Sequence, residues 1–237
     1  MTAVVDCKIP CDAERALTEL GHRTIKLPPH PLLPPPVSSH PDMLLFFAPN
    51  AVFCTESYAK IAKKELKEIE LAANRPLQML QQDYKSSYPG DILLNAAPLG
   101  SRLFCLPSHT AREIVTLPHH RICAVKQGYA KCSVVPIGHG ALITEDASIA
   151  RVARAEGIDV LQIDSYSVAL DGYDTGFLGG ACSFAPYEAT CQALLFCGDP
   201  KHHKNAREIL HFLEERGVEP IALSPAPLTD VGTMFII

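Results

Sequence analysis

Residues 230–237 read DVGTMFII and residues 3–9 read AVVDCKI. The first stretch has the form of an apolar strand that ends before any partner follows it. The second is another apolar strand, followed by a helix-type segment, CDAERALTELG, and a further strand, HRTIKLP. Joined, the two ends make one strand–strand–helix–strand unit. The same unit recurs inside the chain. It starts at Asp42 (DMLLFFAPN, then AVFCTES) and at Asp91 (DILLNAAPLG, then RLFCLPS and the helix-like SHTAREIVTL). It starts again at Cys132 (CSVVPIGHG, ALITED, ASIARVARAEG, IDVLQID) and at Asp174 (DTGFLGGACSF, ALLFCGD, KHHKNAREILHFLEERG, VEPIALSP). The starts lie roughly 40 to 56 residues apart, a loose period with loop insertions. The prediction is an α/β fold of five pseudosymmetric units in a closed ring, with residues 1–237 as one domain. The N-terminal strand closes this ring against the C-terminal one.

Local signals agree with the units. Asp146 is an N-cap type residue before apolar positions 149, 152 and 153, and Gly157 stands where a helix would stop. Residues 202–217 repeat this and end at Gly217. First strands such as LLFF and VVPI are apolar on both faces, as interior strands are. The first unit is irregular: SYAKIAKKELKEIELAANR predicts a solvated helix ending at Pro76, with PLQMLQQ supplying the third strand. The prolines from Pro28 to Pro41 predict a stiff extended connection.

Composition narrows the function classes. Of 237 residues, 47% are apolar and 20% charged, which excludes global disorder. The longest apolar stretch, Met43 to Cys54, is interrupted by Pro49 and Asn50 and falls short of the roughly 18 residues of a helical span. A net charge of −5 argues against a basic nucleic-acid face. The N-terminal sequence lacks a secretory pattern, so a cytoplasmic location and reduced thiols are expected. Cys54, Cys105, Cys123 and Cys197 read as small buried apolar residues. No CxxC occurs, and the adjacent pairs His119–His120 and His202–His203 lack ligand spacing and read as surface histidines.

Four aspartates and one cysteine occupy equivalent positions: Asp42, Asp91, Cys132, Asp174 and Asp230. A ring would gather them near one pit, where carboxylates repel unless protonated, bound to a cation or supplied with donors. A guanidinium fits, because its planar fork pairs with carboxylates. A divalent metal also fits. The structural alternative is that each Asp caps its own strand through backbone N–H groups. Tyr88, Tyr129 and Tyr173 precede three of these positions and could wall the pit or simply pack. Lys131 in a regular strand points away from Cys132. His40 shares a face with Asp42 and could serve as a base, or face solvent beside Pro41. The glycines of GFLGGAC suggest close backbone packing, not a nucleotide site.

The five-unit ring resembles the pentein fold of guanidino-group modifying enzymes, which include arginine deiminases, amidinotransferases and dimethylarginine dimethylaminohydrolases. GYDTGFLGGACSF and the ending LTDVGTMFII are similar to an uncharacterised family of short proteins with this fold. The resemblance implies a guanidino- or amidino-modifying enzyme of hydrolase or amidinotransferase type, with no cofactor and a cationic small molecule as partner. By position, Asp42 and Asp91 resemble the family's substrate-holding carboxylates. Tyr88 stands where the family has Glu, Ala130-Lys131-Cys132 replaces its His-x-Asp, and residues 229–233 lack its nucleophilic Cys. The reading therefore assigns catalysis to Cys132, Asp42, Asp91 and His40. Substrate binding falls to Asp174, Asp230, Tyr88, Tyr129 and Tyr173. Alternatives are a non-catalytic binding module, like the ribosome anti-association factors of this fold, and a carboxylate metal site. No nucleic-acid or membrane partner is expected, and homo-oligomers are left open.

Overall fold

The computed structural model describes residues 1–118, 121–187 and 191–237. The chain begins with β1 (Thr2–Asp6), α1 (Cys11–Glu19) and β2 (Arg23–Leu27). A short helix, α2 (Pro41–Leu44), leads into β3 (Phe46–Phe47) and β4 (Val52–Thr55). Two further helices, α3 (Glu56–Ile61) and α4 (Lys63–Ala73), precede β5 (Leu77–Leu80). The second unit holds β6 (Ala97–Leu99), β7 (Arg102–Cys105), α5 (Arg112–Val115) and β8 (Arg121–Ala124). The third holds β9 (Val135–Ile137), β10 (Ala141–Thr144), α6 (Ala147–Ala155) and β11 (Asp159–Gln162). The fourth holds β12 (Cys182–Tyr187), β13 (Cys191–Phe196), α7 (Ala206–Glu214) and β14 (Val218–Ala222), and the chain ends with β15 (Phe235–Ile236).

These strands form five three-stranded sheets of one pattern, with orders β3-β4-β5, β6-β7-β8, β9-β10-β11, β12-β13-β14 and β15-β1-β2. In each, the first strand runs antiparallel to the second and the second parallel to the third. A parallel pair cannot be joined by a tight turn, so every unit carries its helical crossover between second and third strands. In the third unit, Asp146 Oδ1 caps α6 by accepting from Ile149 N at 2.8 Å. Ile149, Ala150 and Ala153 are then buried against the sheet, and Gly157 leaves the helix at φ +72°.

Closure occurs where the sequence predicts it. Ala3 pairs with Ile236 and Val4 with Phe235, and Thr2 and Ile237 exchange two backbone hydrogen bonds of 2.8 Å. On its other side β1 pairs with β2 along its whole length. The N-terminal strand is therefore the centre of the fifth sheet, and Ala3, Val4 and Val5 are fully buried.

Some local expectations are corrected. The segment around Asp42 is a helical turn, begun by Pro41, and not a strand. The 28–41 connection is not simply extended: Pro35–Val37 form a 3-10 turn, and Leu33 and Val37 are buried. His203 is buried, at 3% exposure, whereas His202 is exposed. His119 and His120 lie outside the described residues. Cys54, Cys105, Cys123 and Cys197 are buried thiols. No helix among the described residues is long and apolar enough to cross a membrane.

Deleting residues 1–9 would remove the middle strand of a sheet and strip two neighbours of their hydrogen bonds. The expected outcome is loss of a single cooperative unfolding transition in chemical denaturation. Unchanged midpoint and slope would contradict the closure.

Candidate functional site

Asp42 sits in the first turn of α2, where its backbone N–H donates to Gly232 O at 3.0 Å. Its side chain is 1% exposed. Carboxylate Oδ2 accepts from Cys132 Sγ at 3.1 Å and lies 3.1 Å from Thr233 Oγ1. Oδ1 is buried and accepts nothing among the described residues. Burial raises this carboxyl above the usual carboxylate range, against the pull of Lys131 and of the two donors.

Cys132 is held in a tight turn before β9, in which Ser133 N donates to Tyr129 O and Val134 N to Lys131 O. That turn corrects the sequence reading of Lys131. In a strand, neighbours point apart; here Lys131 and Cys132 both reach the cluster. Lys131 Nζ donates to Thr233 Oγ1 at 3.0 Å, and Thr233 in turn is poised toward Asp42 Oδ2 or Gly179 O at 2.9 Å. Asn95 fixes the turn by accepting from Lys131 N at 2.8 Å. Its amide nitrogen lies 3.1 Å from Cys132 Sγ. Burial, then the charges of Asp42 and Asp230, push the Cys132 thiol well above its ordinary value. Burial lowers Lys131, with Asp42 opposing.

Asp230 is held differently. Its two carboxylate oxygens accept from Phe177 N and Gly232 N, both at 2.9 Å, so this residue does cap backbone. Gly180 packs so tightly on it that a Cβ there would stand 2.0 Å from Oδ1. Burial and Asp42 raise its pKa to about 7. His40, 2% exposed, is not solvent-facing. It lies between Asp6 (Nε2 to Oδ2, 3.6 Å) and Asp230 (Nδ1 to Oδ1, 3.8 Å). Burial holds its pKa down at about 3, so the ring is neutral.

Asp91 reaches the same region from the second unit. Oδ2 accepts from Tyr129 Oη at 2.7 Å, while Oδ1 is buried without a partner among the described residues. The Tyr129 ring stands 5.5 Å from Tyr88 and 6.3 Å from Phe177. Tyr88 and Tyr173, 51% and 45% exposed, form the rim. Burial and then the Asp91 charge raise the pKa of Tyr173.

The structure thus brings together Asp42, Cys132 and Asp230, and it ties Asp91 in through Tyr129. It does not bring Asp174, which lies exposed in a loop. The fourth inner strand starts later, at Cys182, and the turn before it presents Gly179 and Gly180 to the cluster in place of a carboxylate. Lys131, Asn95, Thr233 and Glu145 are the members that sequence reasoning missed. Glu145 Oε1 accepts from Leu178 N at 2.8 Å, Oε2 is buried without a partner among the described residues, and burial raises its pKa to about 7. Among the described residues no set of three or more His, Cys, Asp or Glu side chains is disposed to hold a metal ion.

A family model matches residues 4–235, and its description is "Family of unknown function (DUF6873)". The chain belongs to this family. No curated protein matches DUF6873's present member by sequence. Among solved structures, it is similar to SxtG, an amidinotransferase from Microseira wollei in the saxitoxin biosynthetic pathway. The TM-score is 0.54 at 12% identity, over 94% of this chain and 88% of that one. A C. jejuni agmatine deiminase aligns with a TM-score of 0.48 at 11% identity, over 86% and 69% of the two chains. The five like sheets, together with the likeness to the amidinotransferase structure, make the fold of this DUF6873 protein the pentein fold, as its repeat predicts.

Glu145 gives a pH test. Its folded pKa, about 7, exceeds the ordinary 4.5, so its contribution to stability is complete below 4.5 and is lost as pH rises through 7. Glu145→Gln removes that loss while keeping an acceptor for Leu178 N. The variant should gain roughly 1–2 kcal/mol over wild type between pH 5 and pH 8 in denaturant unfolding. A pH-independent difference would contradict the assignment.

Proposed function

We propose that this cluster binds the planar cation of a guanidino or amidino small molecule and that Cys132 is the nucleophile directed at its central carbon. One observation carries the reading: Asp42 Oδ1 and Asp91 Oδ1, from equivalent places in consecutive units, are buried acceptors that meet no donor among the described residues. An acceptor left unpaired in the interior costs on the order of 1–3 kcal/mol, more when charged. A guanidinium supplies both a positive charge and several N–H donors in one plane, which is what two such carboxylates lack. The Tyr88, Tyr129 and Tyr173 rings at the rim offer aromatic faces to such a cation.

The bound cation also changes the thiol. In the free protein Cys132 is a protonated thiol facing a carboxylate. A positive charge beside it eases loss of the thiol proton, which passes to Asp42 Oδ2 only as the sulfur attacks, while Asp42 stays ionised in the resting complex and the Asn95 amide remains on sulfur. The sulfur lone pair thereby forms a C–S bond to the guanidino carbon. As that centre collapses, the C–N bond to the leaving amine breaks, and the amine departs with the proton held by Asp42. The amidino-cysteine left behind is released to water in a hydrolase or to a second amine in a transferase. His40 does not touch Cys132; it backs Asp230 and acts as a positioning residue. A second reading, binding without catalysis, is favoured by the 4% exposure of Cys132.

Thermal unfolding with agmatine, arginine, creatine and aminoguanidine tests the binding step. At least one should raise the midpoint of wild type, and Asp42→Asn or Asp91→Asn should lose most of that rise. A rise equal in wild type and both variants would place the cation elsewhere. 2-Chloroacetamidine should alkylate Cys132 faster than iodoacetamide does, relative to a free thiol, with Cys132→Ser as control. Cation binding without this preference would leave the binding-only reading.

A further inference from the structure

A second feature lies further along the inner strands. A cavity of about 200 Å³ is framed by one strand from every sheet, with Phe47 of β3, Pro98 of β6, Pro136 of β9, Phe184 of β12 and Phe235 of β15 in its wall. Five sheets contribute to one space because their first strands converge on one axis. The lining is otherwise apolar or neutral, and Lys131 is its single charged side chain among the described residues.

Lys131 is poorly matched by its own protein. One of its three N–H groups meets Thr233 Oγ1 at 3.0 Å, and the ammonium stands 5.8 Å from the centre of the Phe235 ring. Among the described residues no carboxylate oxygen lies within 4.0 Å of it. A cation partly stripped of water, with unused donors facing an apolar chamber, calls for an anionic acceptor carrying an apolar body. Size sets the class. A dry cavity of about 150 Å³ accepts benzene, so the space here suits a single ring or a short chain with one acid group.

We propose that this cavity binds a small monocarboxylic acid, its carboxylate on Lys131 Nζ and its apolar part against Phe47, Phe184 and Phe235. The site is separate from the guanidinium reading and does not depend on it. Asp91 contributes nothing to the cavity wall, and the two ligands would approach the Lys131–Thr233–Asp42 chain from different ends. The carboxylate hydrogen bonds the ammonium, the ring displaces weakly held water, and no covalent step is involved.

Isothermal titration of the full chain with benzoate and with benzamide tests this. The two probes share shape and differ in charge. Benzoate should bind wild type at least about tenfold more tightly than benzamide, the size of one charge-assisted contact in a desolvated place. Lys131→Met should abolish the preference, Lys131→Arg should keep it, and Asp91→Asn should leave it unchanged. Equal affinity of wild type for both probes, or no binding of either, overturns the proposal even if Lys131→Met fails to fold. Undiminished benzoate binding by a folded Lys131→Met protein overturns it as well. Loss of guanidino binding in Asp91→Asn with benzoate binding intact shows that the two sites stand or fall separately.

Discussion

Water is kept from the ionisable groups at the centre of this ring, and that exclusion decides which of them carry charge. Asp42, Lys131, Cys132 and Asp230 come from three different units, yet burial is the largest influence on each. In water their mutual interactions would be worth about 1 kcal/mol at contact distance; at low effective dielectric they are several times larger. Burial acts in opposite directions on acids and bases, raising the carboxyls and thiol and lowering the lysine. Every group is thereby drawn toward its neutral form, and each retained charge depends on its neighbours.

The fold supplies this environment through backbone approach. Gly179 and Gly180 bring the fourth unit's turn against Cys132 O and Asp230, where any side chain would collide. Gly232 lets the final turn pass beside His40, and Thr233 follows at φ +65°, a conformation a β-branched residue adopts only under constraint. Asp230 holds that turn through its bonds to Phe177 N and Gly232 N. Thr233 is then fixed between Lys131 and Asp42, one hydroxyl linking the cation to the carboxylate. The closing strand β1 anchors the far end of the same segment by pairing with β15.

Topology was the most legible level, because a repeated strand–strand–helix–strand pattern with complementary ends admits few closures. The positions of Asp42, Asp91, Cys132 and Asp230 followed from the repeat. Asp174 did not, because the fourth unit carries a longer entry loop and its equivalent turn is built of glycines. The acidic residue that leads this unit in sequence therefore lies in the entry loop, ahead of the turn that meets the cluster. Strand alternation points Lys131 away from Cys132, and the tight turn between Tyr129 and Val134 brings both to the cluster. Asn95 and Thr233 gave no periodic or motif signal, since their importance is set by contacts 36 to 191 residues away in sequence. The buried state of His40 was likewise invisible, because it depends on Gly232 packing on its Cβ.

Asp42 is a desolvated acceptor whose Oδ1 meets no donor among the described residues. Site-resolved NMR titration of the Asp42 side-chain carboxyl carbon, with Asp42→Asn for assignment, reads this directly. In the free protein the carboxyl should titrate above the ordinary 3.8, and saturating agmatine or aminoguanidine should move it downward. A carboxyl that titrates near its ordinary value, unmoved by either cation, would contradict the account.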